Sequence, residues 1–137
     1  MDQNTLLSTL ARANANAVKA CAEALIPGLE PITVIVNRTG LAMLPMEETV
    51  CGETFYLGEV LLSEAHVRAA GAEGYAACLG RDLEQALAIA LLDAAYAAGR
   101  DCERITAFVD SQAAALASAD EALGQQVEQT RVELETF

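Results

Sequence analysis

The chain's only histidine, His66, lies between Glu64 and Arg68 in the run Ser63-Glu64-Ala65-His66-Val67-Arg68. At a two-residue period an acid, an imidazole and a guanidinium fall side by side on one face of a strand, with Ala65, Val67 and Ala69 on the other. Such a ladder could meet a substrate or a partner. The plainer reading is the solvent face of a half-exposed strand, which is the commoner arrangement. Further on, Arg81 directly precedes a helix start, where an arginine helps hold an anion at the first helical amides. Asp82 followed by Gln85 has the spacing of a capping box, so Asp82 has a structural reason to be there. Glu64, His66, Arg68 and Arg81 are therefore the substrate-binding candidates, and none is assigned a catalytic role. The sequence contains no nucleophile elbow and no glycine-rich phosphate loop. Glu64 and His66 would supply only two metal ligands. Cys21, Cys51, Cys78 and Cys102 include no closely spaced pair, so they read as reduced, buried thiols and no metal site is predicted.

The bulk composition narrows the function classes. With 20 acidic and 8 basic residues, the net charge of -12 would repel a phosphate backbone, which argues against nucleic-acid binding. Seven of the eight cations are arginine, with Lys19 the exception, which favours planar pairing with carboxylates over a lysine-coated surface. The start Met1-Asp2-Gln3-Asn4 predicts no signal peptide, and no apolar run is long enough for a membrane span, so a cytoplasmic location is expected. At 137 residues the whole chain, 1–137, reads as one domain able to bury a core without disulfides.

The elements that must position these residues follow from periodicity. Leu6, Leu7, Leu10, Ala13, Ala17, Val18, Cys21 and Leu25 predict one N-terminal helix, ended by Pro27-Gly28. Ile32 to Asn37 reads as a strand covered on both faces, turning at Arg38-Thr39-Gly40 into a second strand, Leu41 to Leu44, which Pro45 ends. Met46 to Thr54, with Glu47, Glu48 and Glu53, reads as an acidic surface loop. A long strand follows from Phe55. Alanine and glutamate also favour a helix over Ser63 to Ala70, but the flanking glycines and the GYAACLG run point to strand. Ala70 to Gly74 is the reversal and Tyr75 to Leu79 the returning strand. Leu83 to Ala98 is apolar nearly all round and predicts a buried middle helix, capped by Gly99; Asp93 on it should pair with an arginine or lie on a solvent edge. Asp101 can cap a last helix, Cys102 to about Glu135, whose stripe includes Ile105, Val109, Leu116, Leu123 and Val127. A helix this long outreaches a small domain and is a candidate for contact with another chain; packing along the sheet, or a break near Gly124, is the alternative. The expected class is α+β: an antiparallel sheet of about four strands packed by an N-terminal helix, a buried middle helix and a long C-terminal helix.

Several segments, in order, resemble the PhnG family, the G subunit of the bacterial carbon–phosphorus lyase system. They are Thr39-Gly40-Leu41-Ala42-Met43, Phe55-Tyr56-Leu57-Gly58-Glu59-Val60-Leu61, Ser63-Glu64-Ala65-His66-Val67-Arg68, Gly74-Tyr75, Leu79-Gly80-Arg81-Asp82, the alanine-rich helix with Asp93, and Thr130-Arg131-Val132-Glu133. The resemblance implies an accessory subunit that assembles with the H, I and J subunits. It implies a role with H, I and L in displacing adenine from ATP by a phosphonate, giving ribose 1-phosphonate 5-triphosphate. It also implies that the later carbon–phosphorus cleavage belongs to J, that ATP is a substrate of the complex, and that this chain holds no cofactor of its own. Arg131, Val132 and Leu134 are the residues it suggests for a partner interface, and a homo-oligomer is an option for the isolated chain. The competing class is a stand-alone domain or enzyme that binds phosphonate or nucleotide through Glu64, His66, Arg68 and Arg81.

Overall fold

The computed structural model describes residues 1–47, 50 and 52–135, with side chains at 44, 46–47, 55–57 and 129–135 outside the description. The architecture is α+β. Four helices, α1 (Gln3–Arg12), α2 (Ala15–Leu25), α3 (Leu83–Ala97) and α4 (Cys102–Glu135), accompany three strands, β1 (Ile32–Glu47), β2 (Thr54–Ala69) and β3 (Ala72–Leu79). The strands form one antiparallel sheet in the order β1-β2-β3.

The N-terminal segment is two helices where the apolar spacing predicts one. Asp2 caps α1 by accepting from the Thr5 amide at 2.8 Å, and Asn14 caps α2 by accepting from the Ala17 amide at 3.1 Å. Asn14 competes with the helical ladder for a backbone donor, so the chain breaks and restarts there. The break lets α1 pack on α3, α4 and β3 while α2 packs on α3.

The expected hairpin at Arg38-Thr39-Gly40 does not form. These residues sit in a continuous ladder opposite Glu64, Ser63 and Leu62, so two predicted strands are a single β1 and the sheet has three strands. A full-length partner strand pairs the backbone groups on the β2 side of β1 without a break, where a local turn would have interrupted them. β1 also runs through Pro45, with a register irregularity at Leu44/Pro45, which an edge strand tolerates. The loop expected over Met46–Thr54 shortens accordingly, and Glu48 and Cys51 lie outside the described residues. The expectation that the start of β1 is covered on both faces is also corrected: Val34 and Ile35 are exposed, because α3 covers β2 and β3 and reaches β1 only lightly.

The reversal between β2 and β3 is tighter than Ala70–Gly74. It is a two-residue turn with Ala70 at φ 51° and Gly71 at φ 80°, the doubly positive backbone that matches strand twist in a hairpin. The inner face of the sheet, Ser63, Ala65, Val67 and Ala69 of β2 with Ala76 and Cys78 of β3, is buried. α3 lies against it, and Ile89, Ala90, Leu92 and Ala94 are among its buried residues. Small side chains allow a close approach, closest at Gly74, where an added Cβ would fall 2.0 Å from the Ala90 carbonyl oxygen. α3 ends as expected at Gly99 (φ 75°), where the Arg100 amide donates to the Ala95 carbonyl and the Gly99 amide to the Tyr96 carbonyl.

Asp93 takes neither expected place. It is 4% exposed and accepts from the Tyr75 backbone amide at 3.0 Å and from Gln3 Nε2 at 3.1 Å. The carboxylate thus ties α3 to the outer edge of β3 and to the start of α1. α4 begins with Ile105 and Val109 buried in the core, then leaves it; at about 1.5 Å per residue its 34 residues extend roughly 50 Å. Asp101 precedes it at φ 52°, and its carbonyl accepts from the Ile105 amide at 2.9 Å.

Candidate functional site

β2 is a strand through Ala69, and its alternation does what the sequence predicts. With Ser63, Ala65, Val67 and Ala69 turned inward, Glu64, His66 and Arg68 share the outer face. The flanking strands supply their partners. Arg38 of β1, directly opposite Glu64, donates from Nε to Glu64 Oε1, and Tyr75 of β3 donates its hydroxyl to Glu64 Oε2 at 3.1 Å. Glu73 of β3, opposite Arg68, accepts from its Nη2 at 2.9 Å and also lies 3.6 Å from His66 Nε2.

These pairings set the chemistry of the face. Hydrogen bonding to Arg38, then to Tyr75, holds the Glu64 carboxyl below its ordinary range. The Arg68 hydrogen bond and charge, with His66 adding to them, do the same for Glu73. Burial, then the Glu64 hydrogen bond, pushes the Tyr75 phenol up. Glu64 and Glu73 are therefore ionised near neutral pH and placed to accept hydrogen bonds, not to lend protons as general acids. Arg38 and Arg68 already face carboxylates, so an anionic ligand would have to displace one. On a strongly acidic chain this face is close to electrically balanced. Beside it, Arg38, Gly40 and Ala42 of β1, with Leu62, Tyr75 and Ala77, line a shallow depression of about 520 Å³.

Arg81 does not join the cluster. It is exposed at the exit of β3, the opposite end of that strand from the Arg68–Glu73 pair. One of the amides it was expected to serve, that of Gln85, is already occupied. The Asp82 carboxylate accepts from the Gln85 amide at 3.0 Å, and Lys19 Nζ lies 3.1 Å from Asp82 Oδ1. The other half of the expected capping box is supplied by Ser63 instead. Its buried hydroxyl accepts from the Asp82 amide at 2.9 Å and donates to the Gly80 carbonyl at 2.6 Å, which fixes the start of α3 to the inner face of β2. The Gln85 amide bond, then Lys19, lowers the Asp82 pKa. A depressed aspartate stabilises the fold above its unfolded value and loses that contribution as pH falls through the folded value. Wild type should therefore be more stable than Asp82→Asn near neutrality. The gap should close on acidification below the ordinary aspartate value of 3.8, as read by urea denaturation across pH. A gap independent of pH would mean that the ionised carboxylate is not what caps α3.

Arg131, Val132 and Leu134 fall on the last turns of α4, and their side chains lie outside the described residues. Among the described residues, no group of three or more His, Cys, Asp or Glu side chains is placed to hold a metal ion. Cys21, Cys78 and Cys102 are free thiols, and burial pushes Cys21 and Cys78 up. No helix among these residues is long and apolar enough to cross a membrane. Sequence reasoning missed Arg38, Glu73 and Tyr75. Their signal is cross-strand, and for Arg38 the expected turn at 38–40 concealed it.

Fold and face together define a small α+β protein with a self-neutralised polar sheet face. The family model described as phosphonate metabolism protein PhnG matches residues 2–137, essentially the whole chain. The chain belongs to the PhnG family, and its role lies in phosphonate metabolism. A search among curated proteins finds no match.

Proposed function

We propose that the chain is the accessory G subunit of the carbon–phosphorus lyase complex. It acts with the H, I and L subunits to form ribose 1-phosphonate 5-triphosphate from ATP and an alkylphosphonate, and it assembles with H, I and J. In this reading ATP is a substrate of the complex, the chain carries no cofactor of its own, and the assembly is cytoplasmic. Family membership supports it, and one structural observation carries it. The β1–β2 ribbon runs on past the start of α3 with its apolar side chains uncovered: Leu41 is 66% exposed and Met43 55%. An edge strand with apolar side chains on an uncovered face is an interaction surface unless something blunts it. Within 39–44 there is no charge and no proline to do so. The balanced Glu64/His66/Arg68 face suits contact with a protein partner better than capture of a triphosphate. Arg131, Val132 and Leu134 remain part of the proposed interface.

Co-expression of the tagged chain with the sister subunits tests the reading. The expected results are stoichiometric co-purification, no turnover of ATP plus alkylphosphonate by the chain alone, and turnover once H, I and L are present. A chain that ignores its sister subunits and is stabilised by ATP plus alkylphosphonate in a thermal-shift assay would instead be a stand-alone binder.

A further inference from the structure

β1 is the long open edge of the sheet. Along an antiparallel strand, every second residue turns its amide and carbonyl toward the neighbour, and the residues between turn theirs away. The outward groups of β1 pair with no other backbone among the described residues. Register with β2 is unbroken from Val36 to Leu44, about 30 Å of extended chain, and this window contains one charge, Arg38, and no proline. The other edges are closed or interrupted. β3 is half as long as β1, and its Tyr75 amide is taken by Asp93 of α3. β2 beyond the end of β3, over 54–61, carries Glu59 and lies opposite the register shift at Leu44/Pro45. Gly40 stands in the middle of the open window. By register it shares the outer face with Arg38 and Ala42, and it faces Leu62. With no side chain at Gly40, the outer face sinks there into the depression of about 520 Å³, between Arg38, Glu64 and Tyr75 on one side and Ala42 and Leu62 on the other.

We infer that β1 accepts an extended segment of another protein of the assembly as a fourth strand along Val36–Leu44, with an aromatic side chain of that segment laid over Gly40. Two features choose this occupant. An open row of amides and carbonyls is matched by another extended backbone, whereas a helix has already paired its own backbone groups. A glycine at a sheet edge leaves a gap that an aromatic ring on the adjoining strand covers, and Ala42 and Leu62 give that ring an apolar contact. A second copy of the chain is the wrong occupant. β1 from Ile32 to Glu47 contains no aromatic residue to cover Gly40, and two chains of net charge -12 repel. The inference rests on the proposed role in a multiprotein assembly, whereas the open edge and the gap at Gly40 belong to this chain alone.

The test uses the full-length tagged chain, alone and co-expressed with the H, I and J subunits. Hydrogen exchange read at single amides by mass spectrometry compares the two states. In the free chain the amides of Val36–Leu44 should alternate between slow, facing β2, and fast, facing outward. In the complex the fast set should slow by about tenfold or more, as amides that gain a strand partner do. Gly40→Phe fills the gap from within the chain, and retention of one sister subunit in affinity capture should fall about tenfold or more, as loss of a central anchor does. Gly40→Ala leaves most of the gap and should retain that subunit. Melting of the isolated Gly40→Phe chain should stay close to wild type, because nothing lies within 4 Å of the added Cβ. If wild type assembles and its outward amides exchange as fast in the complex as in the free chain, the inference is overturned while the assembly role stands. Full retention by Gly40→Phe would overturn the placing of an aromatic over Gly40. If wild type retains no sister subunit, the role itself falls and the inference with it. Outward amides protected in a dimer of the isolated chain would give the edge to a second copy and likewise overturn the inference.

Discussion

Gly74→Ala is expected to destabilise the protein by about 3 kcal/mol, at the upper end of overpacking costs, with a fall in Tm on the order of 10 °C. The new methyl would meet the Ala90 carbonyl oxygen at 2.0 Å, the Ala94 amide nitrogen at 2.7 Å and the Ala94 Cβ at 2.9 Å. Two of these are backbone atoms of α3, which no rotamer change can move aside. Relief requires the helix to lift from β3, loosening the buried contacts around Ala90 and Ala94 and straining the Asp93–Tyr75 hydrogen bond beside them. Gly40→Ala is the control. It also places alanine in the sheet, but nothing lies within 4 Å of the added Cβ, so its effect should stay within about 0.5 kcal/mol. Thermal and urea unfolding of the two variants measure the difference. Equal effects would mean that α3 does not lie on Gly74 as described.

Asp93→Ala is expected to cost about 3 kcal/mol, from a lost charged hydrogen bond of roughly 1.5–3 kcal/mol and the desolvation of the donor left stranded. The side chain is buried, and its removal leaves the Tyr75 amide without its acceptor and Gln3 without its anchor. Asp93→Asn should cost clearly less, because the amide oxygen can still accept from Tyr75. Gln3→Ala should cost least, because that end of the bond is exposed. Unfolding free energies read this order, with Asp93→Ala the most destabilised, Asp93→Asn next and Gln3→Ala the least. Hydrogen exchange at the Tyr75 amide should accelerate in Asp93→Ala more than exchange at amides of the β1–β2 ladder. A Tyr75 amide as protected as in wild type would remove the carboxylate from this role.

The two predictions rest on features of different visibility in the sequence. Gly74 is legible as a glycine before a strand, but nothing local says that its missing side chain makes room for a helix. Asp93 stands out as one acid on an apolar helix, and both of its partners, at positions 3 and 75, are distant in the chain. The polar face divides in the same way. Glu64, His66 and Arg68 share a face because a strand alternates, which the two-residue period states outright. That Glu64 is held by Arg38 and Arg68 by Glu73 depends on the register of three strands. Reading 38–40 as a turn broke that register, since a Thr-Gly pair between two short apolar runs has the local look of a hairpin.

By itself the sequence determined the features that arise within a few residues. These are the alternation of β2, the Asp82 cap and Gly99 stop that bound α3, the burial of that helix, and the length and stripe of α4. Each depends on hydrogen bonds or periodicities spanning a few residues, so the residue types suffice. Only the tertiary structure decided that β1 is one strand through Gly40 and Pro45, that Ser63 completes the start of α3, that Asp93 joins three elements, and that the α4 stripe outlasts its core. Each of these depends on groups brought together from far apart in the chain, where the competing local and non-local hydrogen bonds differ little in energy. Packing of α3 on β2 and β3 selects the Ser63 and Asp93 contacts, and pairing with β2 along its length selects the single β1.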